Sequence, residues 1–233
     1  EGGTGYDLKN KLPYEIEHCY PDYSLYPKLT KDTAYGFLTR GCPRCCSFCI
    51  VSQKEGKQSV KVANLSEFWR GQKTIKLLDP NLLACKDHIE LLQQLIDSKA
   101  YVDFTQGIDA RCINKQNAEL LSKIKVKMIH FAFDDMKQEK NIVKGLKLYK
   151  RISNIPEYKT GIYILTNFNT THEQDLYRVK VVQELGYHPY IMIYNKKSAT
   201  KITKDLQRWA NNRMIYYASD QKWENYNSIT KTK

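Results

Sequence analysis

Between residues 33 and 211, short apolar runs alternate with amphipathic stretches, and no other feature of the chain limits its fold as tightly. The apolar runs are TAYGFLT (33–39), TIKLLD (74–79), YVDFTQ (101–106), KMIHFAFD (127–134), GIYILTN (161–167) and PYIMIYN (189–195). Between them lie KDHIELLQQLIDSKA, KQNAELLSKI, NIVKGLKLYKRI and EQDLYRVKVVQELG, and KDLQRWANN comes after the last. In the first of these, Ile89, Leu92, Leu95 and Ile96 share one helical face; in the fourth, a glycine marks the stop. Strands that alternate with helices in this way build βα units and a parallel sheet. Right-handed crossovers then bring the carboxyl ends of all the strands to one rim. Periodicity leaves open whether the sheet stays open or curls toward a barrel. Residues 1–32 read as an extended segment with short helical turns wrapping the body formed by residues 33–195. Residues 196–233 read as a helical tail packed over the open side of that body.

The chain has 233 residues, 42% of them hydrophobic, enough for one substantial core. It has no run of about 18 apolar residues and no basic-then-apolar leader, so no membrane-spanning helix is expected. Lysine plus arginine exceeds aspartate plus glutamate by 37 − 25, a net charge of +12. Such an excess favours acidic partners such as RNA, DNA or phosphorylated metabolites, and it equally describes a lysine-rich solvated surface. Seven cysteines is an odd count, and without a leader the expected setting is the reducing cytoplasm, where structural disulfides are rare. The opening EGGTGYD reads as loop material entered midway, so an upstream segment is expected.

Each apolar run gives way to polar residues. The first leads into four cysteines, the second into Asp79, Pro80 and Asn81, the third into Gln106, Asp109 and Arg111. Asp134 and Asp135 come after the fourth, Asn167 and Asn169 after the fifth, Asn195, Lys196 and Lys197 after the sixth. In parallel α/β folds ligands bind at that end of the sheet, so these residues form the candidate site. The cysteines stand at 42, 45, 46 and 49. Read as interleaved pairs they resemble half a zinc site, but zinc sites draw pairs from two separate knuckles, and no histidine here has paired-ligand spacing. Read as 42, 46 and 49, they offer three soft thiolates suited to an iron–sulfur cluster, with Cys45 left outside the grouping. Cys19, Cys85 and Cys112 stand alone and read as small apolar residues.

The stretch RGCPRCCSFCIV resembles the cluster loop of the radical S-adenosylmethionine superfamily, a CxxxCxxC motif after the first strand with an aromatic residue, here Phe48, before the last cysteine. The resemblance extends over residues 33–195. It implies an α/β fold with a partial (β/α)6, TIM-like barrel, and a [4Fe–4S] cluster held by Cys42, Cys46 and Cys49. It further implies S-adenosylmethionine on the open iron, and a 5′-deoxyadenosyl radical that takes hydrogen from a substrate. An electron donor of flavodoxin or ferredoxin type comes with that chemistry. Phe48 would pack beside the adenine. Many members carry a GGE-like stretch after the second strand; LLDPN stands here, so the cofactor's amino group passes to Asp79 or to backbone carbonyls nearby, with Asn81 as a weaker candidate. That departure is similar to the cobalamin-binding and methylthiotransferase-like branches, here without their N-terminal domain. Arg111 would meet the cofactor carboxylate, and Gln106 or Asp109 the ribose hydroxyls, unless Asp109 and Arg111 pair with each other. Asp134 reads as a ribose or substrate contact or as a helix cap, and Asn167 as a cofactor or substrate contact. Tyr163, Tyr190 and Tyr194 read as barrel lining.

The substrate is not legible, with RNA, a phosphorylated metabolite and a peptide all compatible. The rival function is a non-catalytic, zinc- or iron–sulfur-stabilised nucleic-acid-binding module.

Overall fold

The computed structural model describes residues 7, 8, 10 and 12–226; residues 1–6 of the opening loop and 227–233 of the tail lie outside the described residues. Six parallel strands form one sheet in chain order: β1 (Thr33–Gly36), β4 (Thr74–Leu77), β5 (Tyr101–Ile108), β6 (Val126–Ala132), β7 (Thr160–Thr166) and β8 (His188–Ile193). β2 (Thr39–Arg40) and β3 (Val60–Lys61) form a separate antiparallel ribbon. Because β1 and β8 end the order unpaired with each other, the barrel is open. The main helices are α4 (His88–Ser98), α5 (Lys115–Lys123), α6 (Glu139–Ile152), α7 (His172–Glu184) and α8 (Lys201–Asn211). Shorter helices are α1 (Tyr14–Glu17), α2 (Pro27–Thr30), α3 (Val51–Lys54) and α9 (Arg213–Ala218). No helix of the described residues is long and apolar enough to cross a membrane.

The two faces of the sheet differ in kind. Ala34, Ile75, Val102 and Val126 are register partners in one row, all buried beneath the helices. Leu91, Leu95, Leu121, Leu146 and Val182 meet that face from α4 to α7, each apolar side chain contributing about 1.5–3 kcal/mol by leaving water. The next row, Tyr35, Lys76, Asp103 and Met128, points to the concave side; Asp103 is buried and the other three are half-buried. Local signals start the helices: Asn114 and Asn117 cap each other's backbone at α5, and Thr171 with Gln174 does so at α7. At the end of α4 the residue in left-handed conformation is Lys99, not a glycine.

Both open edges are covered, which removes the hazard of unpaired strands. On β1 the Tyr23 hydroxyl accepts from the Tyr35 N–H (2.9 Å) and donates to the Phe68 carbonyl (2.8 Å). On β8 the Asn211 amide accepts from the Ile191 N–H (2.7 Å) and donates to its carbonyl (2.9 Å). The tail therefore lies along the last strand's edge, anchored by Trp209 and Tyr216 in the core.

Candidate active-site rim

The ribbon β2–β3 closes the base of the cysteine loop, a short pairing that the sequence pattern did not reveal. Gly41 precedes the first cysteine at φ +83°, where a Cβ would also collide with the Gln58 carbonyl, so only glycine serves there. Glu55 clamps the loop from inside, accepting from the Gly41 N–H (3.2 Å) and from Arg40 (3.2 Å), and the Cys42 N–H donates to the Gly56 carbonyl (3.1 Å). The Cys49 N–H donates to the Cys46 carbonyl (3.0 Å), closing a backbone turn between the two cysteines. Burial pushes the Cys46 thiol up; Arg111 pulls it down, and Cys42, Cys49 and Asp134 push it further up, so all four groups lie within electrostatic reach. Cys45 is exposed, on left-handed backbone.

Asp79 is buried, 6% exposed, and turned toward the loop's root. Its carboxylate accepts from the Leu38 N–H (3.1 Å), the Thr39 N–H (2.5 Å) and the Thr39 hydroxyl (2.7 Å). Burial outweighs these donors and pushes the carboxyl up to about 6. Asn81, 2% exposed, directs its amide N–H groups at Cys42 Sγ (3.4 Å) and Asp109 (3.3 Å), while its Oδ1 has no partner.

On β5 four residues advance against two on β6, and this bulge leaves Gln106 exposed and swings Asp109 to the rim. Asp109 pairs with Arg111 (2.7 Å) and Arg44 (2.5 Å). Burial works to raise this carboxyl, but the two guanidiniums outweigh it and hold it below the usual range. The mutual pairing of Asp109 and Arg111 is thus present, with Arg44 as an unforeseen third member. Arg44 also donates to Cys112 Sγ (3.3 Å), a cysteine that sequence spacing set aside as a bystander and the fold returns to the rim. The turn carrying Arg111 rests on α6, where Gly145 leaves no room for a Cβ beneath the Ala110 carbonyl.

Asp135 caps the turn after β6 through the Lys137 N–H (2.9 Å), whereas Asp134 accepts from the Leu165 N–H (2.9 Å) and faces the rim, its carboxyl raised by burial. Arg178 is fully buried on α7, donating to the Phe133 and Leu165 carbonyls (2.8 and 2.7 Å) and pairing with Asp175. It locks the ends of β6 and β7 together, and nothing in the pattern of α7 announces it. Asn167, at φ +60°, donates to the Asn195 carbonyl (2.9 Å) and joins the last two rim loops. Phe48 meets Phe168 edge-on (5.4 Å between centroids), and Phe168 meets Tyr194 (4.8 Å), so the cysteine loop from β1 reaches the loops after β7 and β8. Phe168 and Tyr194 were not foreseen as site residues.

The rim thus gathers Phe48, Asn81, Asp109, Arg111, Asp134 and the three motif cysteines, while Asp79 faces away into the loop's root and Gln106 is turned to solvent. The donor set can be tested against the groups implied by the motif. Among the described residues no three ligating side chains stand close enough to close on a single ion. A cluster puts its irons at separate corners, so its thiolates stand farther apart, and three soft thiols on one loop fit it in kind. The unpartnered Asn81 oxygen suits an ammonium, and Arg44 and Arg111 suit a carboxylate.

No protein-family model matches the sequence, and no curated protein matches it. The fold is similar to crystal structures of SuiB from Streptococcus suis. Against SuiB bound to S-adenosylmethionine the TM-score is 0.55 at 17% identity, covering 84% of this chain and 51% of that one. Against SuiB bound to the precursor peptide SuiA it is 0.53 at 13% identity, covering 82% and 46%. At these identities the likeness is one of fold, and the chain spans about half the length of SuiB.

Proposed function

We propose that the chain is the core of a radical S-adenosylmethionine enzyme, with Cys42, Cys46 and Cys49 holding a [4Fe–4S] cluster. The observation that carries this reading is the three-thiol loop at the rim of an open parallel barrel, beside a buried amide oxygen that lacks a donor. Likeness in fold to a protein crystallised with S-adenosylmethionine supports it. When bound, cluster and cofactor supply one-electron cleavage of the sulfonium and, from it, removal of a substrate hydrogen. The chain's own residues bind and orient. Asn81 Oδ1 accepts from the cofactor's ammonium, and Arg111 with Arg44 presents positive charge to its carboxylate. Phe48, Phe168 and Tyr194 close one side of the mouth against water. Asp134, Asn167 and Gln106 are further contacts for ribose or substrate, and Asp79 acts from beneath by fixing the loop's root.

Electrons would come from a flavodoxin- or ferredoxin-type donor in the reducing cytoplasm. The LLDPN stretch after the second strand supports a place near the cobalamin-binding and methylthiotransferase-like branches, through its sequence and not through an Asp79 contact with the cofactor. The test is anaerobic reconstitution with iron and sulfide, followed by reduction with S-adenosylmethionine. About four irons per chain and formation of 5′-deoxyadenosine are expected, both lost or sharply reduced in Cys46→Ala. Zinc in stoichiometric amount with no cleavage would overturn the reading in favour of a metal-stabilised binding module.

A further inference from the structure

We infer that Asp109 is a positioning residue: it holds the Asn81 amide as a hydrogen-bond donor to Cys42 Sγ, and that contact eases one-electron reduction of a cluster held by the motif cysteines. The lock itself stands on contacts within this chain; its effect on reduction rests on the proposed function.

The Asn81 nitrogen meets two acceptors, Cys42 Sγ (3.4 Å) and an Asp109 oxygen (3.3 Å). It carries two hydrogens, so each acceptor takes one. Which end of a buried amide faces which neighbour is decided by those neighbours. Asp109 decides it here, because a carboxylate has no hydrogen to give. Arg111 donates to both of its oxygens (2.7 and 3.1 Å), the Arg111 backbone N–H donates to one (3.1 Å) and Arg44 to the other (2.5 Å). So held, with its side chain 7% exposed, Asp109 can only accept from Asn81. The Asn81 oxygen is thereby kept from both acceptors and left unpartnered, the state in which the proposed function uses it. The backbone is fixed as well, since the Asn81 carbonyl accepts from the Ser59 hydroxyl (2.8 Å). Arg44 lies between Cys42 and Cys46, so the lock closes on the cysteine loop itself.

Reduction by one electron adds negative charge that spreads onto the ligating sulfurs. A donor on such a sulfur stabilises the reduced form more than the oxidised one, and hydrogen bonds to sulfur are among the protein's levers on cluster potential. The electron comes from the flavodoxin- or ferredoxin-type donor, which is oxidised as the cluster is reduced.

The test uses the full chain loaded with iron and sulfide, without S-adenosylmethionine, poised at fixed potentials with dithionite and mediators. Electron paramagnetic resonance reads the reduced fraction. Asn81→Leu should lower the ratio of reduced to oxidised cluster about tenfold, a shift of about 59 mV for one electron. Asp109→Ala also removes a charge, so it is made both in wild type and in the Asn81→Leu background, and the comparison cancels the charge. Its effect should be about threefold or more less favourable to reduction in wild type than in that background, a difference that a merely structural Asp109 would not produce. The second measurement is side-chain amide exchange in the metal-free full chain. The Asn81 N–H pair, assigned by its absence from Asn81→Leu, should exchange slowly with deuterium, and about tenfold or more faster in Asp109→Ala. If either variant loses its circular dichroism signal, exchange in wild type decides alone. An unmoved ratio in Asn81→Leu, equal effects of Asp109→Ala in the two backgrounds, or rapid exchange in wild type would each overturn the inference. An amide protected in wild type and released by Asp109→Ala, in a chain that takes up zinc and no cluster, would leave the lock standing and sink the enzyme reading. Cluster assembly and cleavage with equal effects in the two backgrounds would do the reverse.

Discussion

Asp79 illustrates how a side chain that its position marks for a ligand can be taken up by the backbone beside it. Its position after the second strand marked it for the cofactor, yet its oxygens are occupied by Leu38 and Thr39 at the foot of the cysteine loop. Burial raises its carboxyl to about 6, above the unfolded value near 3.9. A raised folded-state value means that the contribution is fully present below the unfolded pKa and is lost as pH rises through about 6, where a buried charge must be tolerated. Asp79→Asn lacks this dependence, so its urea stability relative to wild type should rise by about 2 kcal/mol between about pH 4.5 and about pH 7.5. Parallel pH profiles for the two proteins would contradict the assignment. Arg178 makes the opposite point: its role depends on carbonyls 13 and 45 positions away in sequence, which no local pattern reports.

At the scale of elements, the helices owe their positions to caps and apolar stripes, but α6 owes its closeness to the rim to one missing Cβ. Gly145→Ala would ordinarily strengthen a helix by about 1 kcal/mol. Here the added methyl runs into the Ala110 carbonyl, so the turn holding Arg111 must move. We expect a net loss of about 1–3 kcal/mol in denaturant unfolding, typical of overpacking, accompanied by reduced 5′-deoxyadenosine formation. A gain in stability would show that the turn does not rest on the helix. All six strands were legible from apolar runs, to within a few residues at each end. The β2–β3 ribbon was not, because two-residue strands carry no period, and the apolar run 33–39 was read through a break at 37–38.

Across the whole molecule, the curvature of the sheet decides what meets what. An open six-stranded order leaves β1 and β8 unpaired, yet Phe48, Phe168 and Tyr194 bridge the mouth between their loops. Aromatic pairs of this kind add about 0.5–1.5 kcal/mol each beyond burial. Phe48→Ala should therefore leave global stability nearly unchanged while the loop of residues 41–59 becomes several times more sensitive to limited proteolysis. Equal cleavage rates would show that the bridge does not restrain the loop.

The amino-acid sequence by itself determined the layer architecture, because period and cap are local and survive in one dimension. Asn81 and Cys42, 39 positions apart, meet only because parallel strands deliver their ends to one rim. The same holds for Arg44 and Cys112, 68 apart. Which polar groups found partners and which were left for a ligand was decided by tertiary packing, since burial and hydrogen-bond satisfaction are properties of the folded neighbourhood and not of the residue.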